Sequence, residues 1–439
     1  MKQRNLAPVL LAAALVSAIA LAPSVGARAA SRAASAPRQT VTIQFANWVT
    51  AETATRANML KVIAAFEKQH PGVKVVNTAI PFETMYQQLV TMASAGNLPD
   101  VIQLNGPWPA ELGAANDLVD LTAIAGPHYL KDNYPGALAA GAYGGKIYAM
   151  PLSLTPHALW YDKNLMRQAG LDPNKPPTTM AALNADLAQI KVKLGSKGVY
   201  GIGLDTSKID YALTEFFPFF YAYGARPLYN NRPNFDTKQV ANALQWLRDD
   251  VKEGYTPTGQ DVRTIRELMA KNKIVFRLDG PYLVGILRSL NPALNGGAFY
   301  DTWGVTTVPV GVSGTSYTLA DLHQIGISTQ SKNKALDWAF IKFLESDPAS
   351  IEGYQIPYGV IPALKSVETA PRYAKAFSDP VSQEYIHHVF GTMIAGPYGP
   401  KFGQQLQLVI QAMQEAALTS TPVSQIQQQT QQALQGVSG

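Results

Sequence analysis

The chain has 439 residues, a net charge of +5 at neutral pH and no cysteine. Without cysteine it has no disulfides, no thiolate metal sites, no thiol nucleophile and no lipid anchor attached through an N-terminal cysteine. Lysine and arginine are not clustered, so neither a nucleic acid nor a membrane surface is predicted as a partner.

The first 29 residues have the three-part pattern of a secretory signal peptide. Lys2 and Arg4 precede an uncharged run over residues 6–22, and Ala27-Arg28-Ala29 matches an Ala-x-Ala cleavage site. The run has about 17 residues, which is at the short limit for a helix that spans a bilayer. We therefore favour a cleaved signal peptide (residues 1–29) over a membrane anchor.

The exported chain is predicted to reside in the periplasm. Removal of Lys2, Arg4 and Arg28 with the leader lowers the net charge from +5 to +2. Residues 30–40, rich in Ala, Ser and Arg, are predicted to form a disordered tail. The remaining chain of roughly 400 residues exceeds what one hydrophobic core usually serves, which predicts two lobes.

Strand and helix patterns alternate in the first part of the chain. In order, they are a strand at 41–45, a helix at 55–69, a strand at 73–76, a helix marked by Tyr86, Leu89 and Ala93, and a strand at 101–104. Alternation of this kind predicts a parallel α/β sheet.

Further helices are predicted from apolar stripes with helical spacing. The stripes lie at 180–194, 240–251, 336–344 and 406–417, and we interpret all four as core faces. The Gln-rich segment 424–435 is predicted to be a surface helix without an assigned function. No long free linker separates two halves, so the chain is expected to cross between the lobes more than once.

Short motifs along residues 41–420 occur in a specific order. They include Phe66-Glu67 with His70-Pro71-Gly72, Gly96-Asn97-Leu98-Pro99-Asp100-Val101, Lys146-Ile147-Tyr148-Ala149-Met150-Pro151, Trp160-Tyr161-Asp162-Lys163, Asp279-Gly280-Pro281-Tyr282 and Gly359-Val360-Ile361-Pro362. Together they resemble the family 1 extracellular solute-binding proteins that serve ATP-driven (ABC) sugar importers.

The resemblance implies an α/β, two-lobed periplasmic-binding-protein fold of the type II-like kind. Each lobe is expected to contain a mainly parallel sheet flanked by helices. The N-terminal lobe would comprise 41–153 and 309–356, the C-terminal lobe 154–308 and 357–439, with crossings near 152–157, 305–310 and 356–362. Ligand would bind in the interlobe cleft and be buried by hinge closure. The implied partners are a small-molecule ligand and the membrane permease of an ABC importer.

A sugar site needs aromatic rings for the C–H faces of the ligand and carboxylates, amides or His for its hydroxyls. Such residues are expected in loops at the carboxyl ends of strands. From strand ends, and from positions that correspond to the family's cleft, we predict a ligand site of Trp48, Glu83, Asn105, Trp108, Asp205, Asp279, Tyr282, Asp321, His323 and Tyr358.

Five of these candidates also have a purely structural interpretation. Trp48 fits a buried core position, and Trp108 fits packing on the proline that follows it. Glu83 suits the first turn of a helix. Asp205 and Asp279 suit turns or helix caps.

The segment Leu319-Ala320-Asp321-Leu322-His323 has Ala320-Asp321 where many family members carry Gly-Gly, and Tyr282 replaces a Trp that stacks on sugar in family members. Asp321 and His323 alternate along an extended segment and so point to the same side. Both could face the cleft, or Asp321 could orient His323. This departure leaves the identity of the ligand open.

A carbohydrate-binding protein is therefore the predicted function, without cofactor or metal and as a monomer. The alternative is a binding protein for glycerol phosphate or another small polar metabolite, for which Arg56 or Arg226 would supply the cation. A secreted carbohydrate-active enzyme is the remote alternative, since paired carboxylates can come from anywhere in a chain. The sequence contains neither Gly-x-Ser-x-Gly nor His-Glu-x-x-His.

Overall fold

The computed structural model describes residues 40–207, 212–229 and 232–438. The predicted signal peptide (residues 1–29) and all but the last residue of the predicted tail lie outside these ranges. Within them, no helix is both long enough and apolar enough to cross a membrane.

Strands and helices alternate along much of the described chain. The strands are β1 (Val41–Asn47), β2 (Val73–Ala79), β3 (Val101–Leu104), β4 (Ala142–Tyr143), β5 (Lys146–Ile147), β6 (Met150–Leu154), β7 (Ala158–Asp162), β8 (Tyr200–Ile202), β9 (Leu228–Tyr229), β10 (Arg232–Pro233), β11 (Ile274–Asp279), β12 (Trp303–Thr306), β13 (Thr318–Leu319), β14 (Leu322–Ile327), β15 (Ile361–Pro362) and β16 (Met393–Ile394).

The helices lie between these strands and after them. They are α1 (Thr53–Gln69), α2 (Phe82–Ser94), α3 (Trp108–Ala114), α4 (Thr122–Lys131), α5 (Pro135–Ala140), α6 (Lys163–Ala169), α7 (Met180–Leu194), α8 (Ala212–Ala222), α9 (Lys238–Lys252), α10 (Val262–Ala270), α11 (Leu283–Leu290), α12 (Ala298–Thr302), α13 (Lys334–Ser346), α14 (Pro348–Ser350), α15 (Ile356–Tyr358), α16 (Lys365–Glu368), α17 (Pro380–Glu384), α18 (Phe402–Leu418) and α19 (Val423–Ser438).

The predicted apolar stripes of α7 and α9 are core faces. Met180, Leu183 and Leu187 of α7 are buried, as are Val240 and Leu244 of α9. Because these residues recur every three or four positions, they fall on one side of their helix. The hydrophobic pattern was therefore sufficient to locate both helices.

Two sheets, each with its own hydrophobic core, define the two lobes. The larger sheet has the strand order β15-β6-β14-β3-β1-β2, and the smaller has the order β12-β7-β11-β8. Phe45 and Phe340 belong to the core of the first lobe, whereas Trp160, Phe216 and Phe276 belong to that of the second. The predicted two-lobed α/β fold is confirmed.

Both sheets are mixed, which corrects the prediction that each is mainly parallel. β1 pairs in parallel with β2 and β3, and β11 does so with β8. By contrast, β14 is antiparallel to β3 and β6, and β7 is antiparallel to β11 and β12. β7 and β14 enter their sheets directly from the other lobe, without the crossover helix that joins neighbouring parallel strands.

The chain passes from β6 to β7 through residues 155–157 and returns from β12 to β14 through 307–321. The second of these segments contains β13, which pairs with β16. β15 pairs with β6 of the larger sheet, although it lies in the segment that we assign to the C-terminal lobe. The exact lobe boundaries remain a prediction.

The Gln-rich segment forms α19, as predicted, and it has a structural role. Gln427 Nε2 donates to the carbonyls of Phe235 and Thr237, at 3.0 and 2.8 Å. Gln431 Oε1 accepts from the backbone N–H of Phe235 at 2.8 Å. These side chains hold the turn that precedes α9.

Candidate functional site

The first lobe gathers several candidate residues at one edge of its sheet. β1 and β3 are parallel, with Phe45 opposite Val101, so their carboxyl ends lie at the same edge. The chain leaves β1 towards Trp48 and leaves β3 at Asn105, while α2 begins at Phe82 after β2. Side chains that follow parallel strands therefore meet where α/β sheets usually bind ligands.

Four aromatic residues of the first lobe form what we call the aromatic wall: Trp48, Phe82, Tyr86 and Trp108. The ring of Trp108 is nearly parallel to those of Phe82 and Tyr86, with centroids 5.6 Å apart in both pairs. Trp48 meets Phe82 and Trp108 edge-on, at 5.3 and 6.0 Å. Trp48 is buried, whereas Phe82 is 41% exposed and offers ring surface to solvent.

The turn before α3 places Trp108 in this wall. Gly106 has a φ of +52°, the left-handed conformation that glycine adopts without steric cost. Pro107 follows, and Trp108 is the first residue of α3. The backbone N–H of Trp48 donates to Gln103 Oε1 at 3.2 Å, which ties the two strand ends together.

A second group of residues lies where the chain crosses between lobes, and we call it the hinge cluster: Asn105, His157, Tyr282 and Asp321. Asn105 Nδ2 donates to Asp321 Oδ1 at 3.2 Å and to the Leu322 carbonyl at 2.9 Å. His157 Nε2 lies 3.3 Å from the Tyr282 hydroxyl and 3.8 Å from Asp321 Oδ2. Asp321 is therefore approached by side chains of both lobes.

His323 lies two residues after Asp321 and connects the aromatic wall with Tyr354 and Tyr358. Its ring meets Trp48 edge-on at 5.1 Å and lies 5.6 Å from Tyr358. Its Nδ1 is 3.3 Å from the Tyr354 hydroxyl, and Tyr354 stacks on Tyr358 at 5.6 Å. Asp321 instead contacts Asn105, so no hydrogen bond in the structure supports the idea that it orients His323.

Burial controls the charges of the hinge region. It raises the pKa of Asp321 to about 6, against the lowering effect of the hydrogen bond from Asn105. It lowers the pKa of His157 to about 3 and that of His323 to about 4. At neutral pH the carboxylate is therefore mostly ionised while both imidazoles are neutral, which leaves a negative charge at the hinge.

The second lobe carries a buried charge network of Glu215, Arg266, Arg277 and Asp279. Arg266 binds Asp279 through two hydrogen bonds of 2.7 and 2.8 Å, and Arg277 Nε adds a third at 3.0 Å. The backbone N–H of Gly280 donates to the same carboxylate at 2.9 Å. Burial alone raises the pKa of Asp279, but the two guanidiniums outweigh it and hold that pKa well below its usual range.

Asp205 is joined to this network through Glu215. Its backbone N–H donates to Glu215 Oε2 at 3.0 Å, and Glu215 Oε1 accepts from Arg277 at 2.8 Å. The Asp205 carboxylate itself accepts from the backbone N–H groups of Ser207 and Val262, at 2.8 and 3.1 Å. Asp205 thus fixes the loop after β8 and the start of α10.

The structure brings most of the predicted site together and separates two members from it. Direct contacts connect one group of predicted residues, which consists of Trp48, Trp108, His323 and Tyr358. A second group consists of Asn105, Asp321 and Tyr282, in which His157 links Asp321 to Tyr282. Asp205 and Asp279 have their carboxylates engaged within the second lobe. The side chain of Glu83 lies outside the described part of the structure.

Sequence reasoning missed four neighbours of these residues: Phe82, Tyr86, His157 and Tyr354. Phe82 and Tyr86 are four positions apart on α2, a spacing that places both on one helix face. That spacing could have identified them as an exposed aromatic pair. His157 lies immediately before β7, and its role depends on contacts with Tyr282 that no local pattern reveals.

Among the described residues, no group of three or more His, Asp or Glu side chains is arranged to hold a metal ion.

Comparisons with known proteins agree with this architecture. The family model described as bacterial extracellular solute-binding protein matches residues 50–351. A binding protein of Brucella abortus is 26% identical over 297 residues, which cover 65% of this chain and 67% of the relative. The melibiose/raffinose/stachyose-binding protein of Bacillus subtilis is 27% identical over 315 residues, which cover 67% and 69% of the two chains.

Solved structures share the fold. The sugar-binding protein MalE of Xanthomonas citri superposes with a TM-score of 0.77 at 21% identity, covering 91% of this chain and 97% of its own. A solute-binding protein of Thermotoga lettingae bound to α-D-tagatose gives 0.76 at 21% identity, covering 91% and 100%. The family match spans well over half of the sequence, and the chain belongs to the bacterial extracellular solute-binding protein family.

Proposed function

We propose that this protein is the substrate-binding component of an ABC importer, and that it captures a carbohydrate in the cleft between its lobes. The observation that carries the proposal is the aromatic wall, which His323 extends to Tyr358 and which follows the same sheet edge as Asn105 of the hinge cluster. Relatives whose names include melibiose, raffinose and stachyose binding, and an E. coli relative named as an ABC transporter periplasmic-binding protein, support the same role.

The two groups of side chains match the two chemical characters of a sugar. The C–H faces of a pyranose pack on aromatic rings, and Phe82 and Trp108 provide ring surface that is only partly buried. Sugar hydroxyls donate well to a carboxylate, and Asp321 is the ionised acceptor at the hinge. Tyr282 and Asn105 add polar groups from the two lobes.

The charges of the cleft favour an uncharged ligand over a phosphorylated one. The guanidinium of Arg266 is bound by Asp279. Arg226 lies over the rings of Tyr221 and Tyr317, at 3.8 and 5.2 Å, and Arg56 donates to the Thr50 carbonyl. Since Asp321 adds a negative charge, binding of a phosphate dianion would meet repulsion at the hinge.

We further propose that the protein binds without turnover. A glycosidase needs one carboxyl group that donates a proton and a second that acts as base or nucleophile. The carboxylate of Asp279 is engaged by Arg266, Arg277 and the Gly280 N–H, which leaves Asp321 without a second acid of this network. Export through cleavage of residues 1–29, a periplasmic location, a monomeric state and delivery to a membrane permease belong to the same proposal.

A thermal-shift screen tests the function. The panel contains tagatose, maltose, melibiose, raffinose, maltotriose and glycerol 3-phosphate, followed by calorimetry of each positive compound. A ligand at 100 times its Kd adds about 2.7 kcal/mol of stability. We expect a carbohydrate to stabilise the protein, with an affinity that is the same at 50 and at 500 mM NaCl. Salt weakens the attraction between charges, over a Debye length of about 10 Å at 0.1 M, and an uncharged sugar has no such attraction to lose.

Two variants locate the site. Trp108→Ala and Tyr282→Ala should each weaken binding of the positive carbohydrate at least tenfold (about 1.4 kcal/mol), because aromatic anchors dominate such interfaces. The control is Tyr229→Ala, which truncates a 60% exposed tyrosine on β9 that belongs neither to the aromatic wall nor to the hinge cluster. Salt-sensitive binding of glycerol 3-phosphate alone, or hydrolysis of a panel sugar, would overturn the proposal.

A further inference from the structure

The ring of Tyr282 folds back over a glycine two residues earlier in the chain. Tyr282 follows β11 and is half-buried. A Cβ at Gly280 would lie 2.5 Å from Cε1, 2.6 Å from Cζ and 3.0 Å from the hydroxyl oxygen of Tyr282. Gly280 does not have a positive φ, so the backbone conformation does not require glycine there. The close approach of the ring does.

The first lobe contains a similar segment in which the ring takes another direction. Gly106-Pro107-Trp108 has the same order of glycine, proline and aromatic residue as Gly280-Pro281-Tyr282. A Cβ at Gly106 would meet no atom within 4 Å, and Trp108 packs on Phe82 and Tyr86 instead. The order of residues therefore does not decide where the ring lies, and the contacts around it do.

Arg266 of α10 contacts the Tyr282 ring. Its guanidinium carbon lies over the ring, 5.4 Å from the centroid, and a cation in this position attracts an aromatic face. The guanidinium is itself fixed, because Nε and Nη2 donate to the two carboxylate oxygens of Asp279 at 2.8 and 2.7 Å. Since a two-point contact also fixes the plane of the guanidinium, Arg266 restrains the ring from α10.

Asp279 provides a rigid support for these contacts. Its carboxylate also accepts from Arg277 Nε and from the backbone N–H of Gly280, at 3.0 and 2.9 Å. Its backbone carbonyl accepts from Trp160 Nε1 and from the Tyr385 hydroxyl, at 2.9 and 2.8 Å. These donors belong to buried residues, so the end of β11 holds the glycine and the guanidinium in fixed positions.

We propose that Arg266 and Gly280 are positioning residues, which hold the Tyr282 ring in one orientation before ligand arrives. In this orientation the Tyr282 hydroxyl lies 3.3 Å from His157 Nε2 in the hinge cluster. The effect on ligand rests on the proposed carbohydrate function, whereas the orientation of the ring rests on contacts within the second lobe.

A ring that is already oriented loses little conformational freedom when a ligand binds. Immobilising a flexible side chain on binding weakens affinity by about two- to thirteenfold. Loss of either positioning residue should therefore weaken carbohydrate binding by about that factor. Neither Arg266 nor Gly280 has to touch the ligand for this effect.

Gly280→Ala tests the seat of the ring. The three atoms nearest to the new Cβ all belong to the outer end of the Tyr282 ring, so the ring can turn away while the backbone stays in place. Fluorine NMR of meta-fluorotyrosine at position 282 reports the orientation without ligand. We expect the resonance of Gly280→Ala to differ from that of wild type, with a urea midpoint close to that of wild type.

Gly285→Ala is the matched control. Gly285 is exposed on α11, and a Cβ there would meet no atom within 4 Å. The same substitution three residues after Tyr282 should therefore leave both the fluorine resonance and the carbohydrate affinity as in wild type.

Arg266→Lys separates positioning from charge. Lysine keeps a positive charge beside Asp279 but cannot form the planar two-point contact. We expect the resonance at position 282 to move, and carbohydrate affinity measured by calorimetry to fall as in Gly280→Ala. The urea midpoint should stay closer to that of wild type than the midpoint of Arg266→Met, which lacks the charge.

The two readouts distinguish failure of this inference from failure of the proposed function. A wild-type resonance in both Gly280→Ala and Arg266→Lys would overturn the positioning role. Wild-type affinity in variants whose resonance has moved would overturn it too. If no carbohydrate binds, the proposed function fails, and the resonance at position 282 still decides whether these two residues hold the ring.

Discussion

The two lobes place different chemistry at the same position in their sheets. In the first lobe, the carboxyl ends of the parallel strands β1 and β3 lead into Trp48, Asn105 and Trp108, whose side chains form the wall and part of the hinge cluster. In the second lobe, the parallel strands β8 and β11 lead into Asp205 and Asp279. These acids are bound by arginines and backbone N–H groups of their own lobe.

The difference teaches that a polar residue at a strand end has two possible uses. A carboxylate there can meet a ligand, or it can fix the loops around the site. The carboxylate of Asp279 accepts hydrogen bonds from Arg266, Arg277 and the backbone N–H of Gly280. The carboxylate of Asp321 accepts from the side chain of Asn105. The number of internal donors, and not the position on the strand, separates a supporting acid from a candidate ligand acid.

Loss of Arg277 is the strongest test of the supporting role. Its side chain is fully buried between Glu215 and Asp279. Arg277→Met keeps most of the volume but leaves two buried carboxylates with less positive charge, which typically costs about 3–5 kcal/mol. We expect a loss of that size in the free energy of unfolding, measured in urea.

Arg372→Met is the control for that measurement. Arg372 forms a 2.6 Å ion pair with Glu352, but both side chains are about half exposed. Water screens such a pair, so the urea midpoint of Arg372→Met should be close to that of wild type. Equal midpoints for Arg277→Met and Arg372→Met would show that the second lobe does not depend on its charge network.

A pH series tests a buried acid of the first lobe whose pKa, unlike that of Asp279, is raised. Glu345 in the first lobe is fully buried, and its Oε2 accepts from the Tyr129 hydroxyl at 2.5 Å. Burial raises its pKa from 4.5 to about 8, against the lowering effect of that hydrogen bond. Because the folded pKa lies above the unfolded one, the stability linked to Glu345 is complete below pH 4.5 and is lost as the pH rises through 8.

Glu345→Gln removes this dependence because glutamine cannot ionise. Between pH 5 and 8 a single such group changes the free energy of unfolding by up to about 1.4 kcal/mol per pH unit. We expect the variant to have a flatter profile than wild type in urea unfolding at pH 5, 6, 7 and 8. Glu253→Gln, at an exposed position, should have the same pH profile as wild type. If Glu345→Gln also has the wild-type profile, Glu345 is not the source of the pH dependence.

The fold was largely predictable, because most elements have local signals. The alternation at 41–45 and the stripe at 180–194 located β1 and α7. Strand direction was less accessible: β7 and β14 run antiparallel to their neighbours because they arrive from the other lobe, and no local pattern records that path. Chain length predicted two lobes, and the family resemblance supplied their arrangement around a cleft and a hinge.

Residue type and strand-end position predicted one part of the candidate site, and positions that correspond to the family's cleft supplied Tyr282, Asp321, His323 and Tyr358. Trp48, Asn105 and Trp108 met both conditions and lie in connected groups. Asp205 met them too, but its carboxylate serves Ser207 and Val262. Burial and the supply of internal donors decide between these outcomes, and both depend on contacts between residues far apart in sequence.

Phe82 is the most accessible residue of the aromatic wall and gives the smallest predicted effect. It is 41% exposed and stacks on Trp108. Aromatic pairs contribute about 0.5–1.5 kcal/mol beyond their buried area, so Phe82→Ala should weaken carbohydrate binding by about two- to thirteenfold without altering the urea midpoint. Calorimetry with the sugar from the screen measures this, and Leu290→Ala, at a similarly exposed position on α11, is the control.

Phe82→Leu retains apolar area without the ring. If its affinity is like that of Phe82→Ala, the effect belongs to the ring. If both variants bind with wild-type affinity, the ligand does not reach this end of the wall.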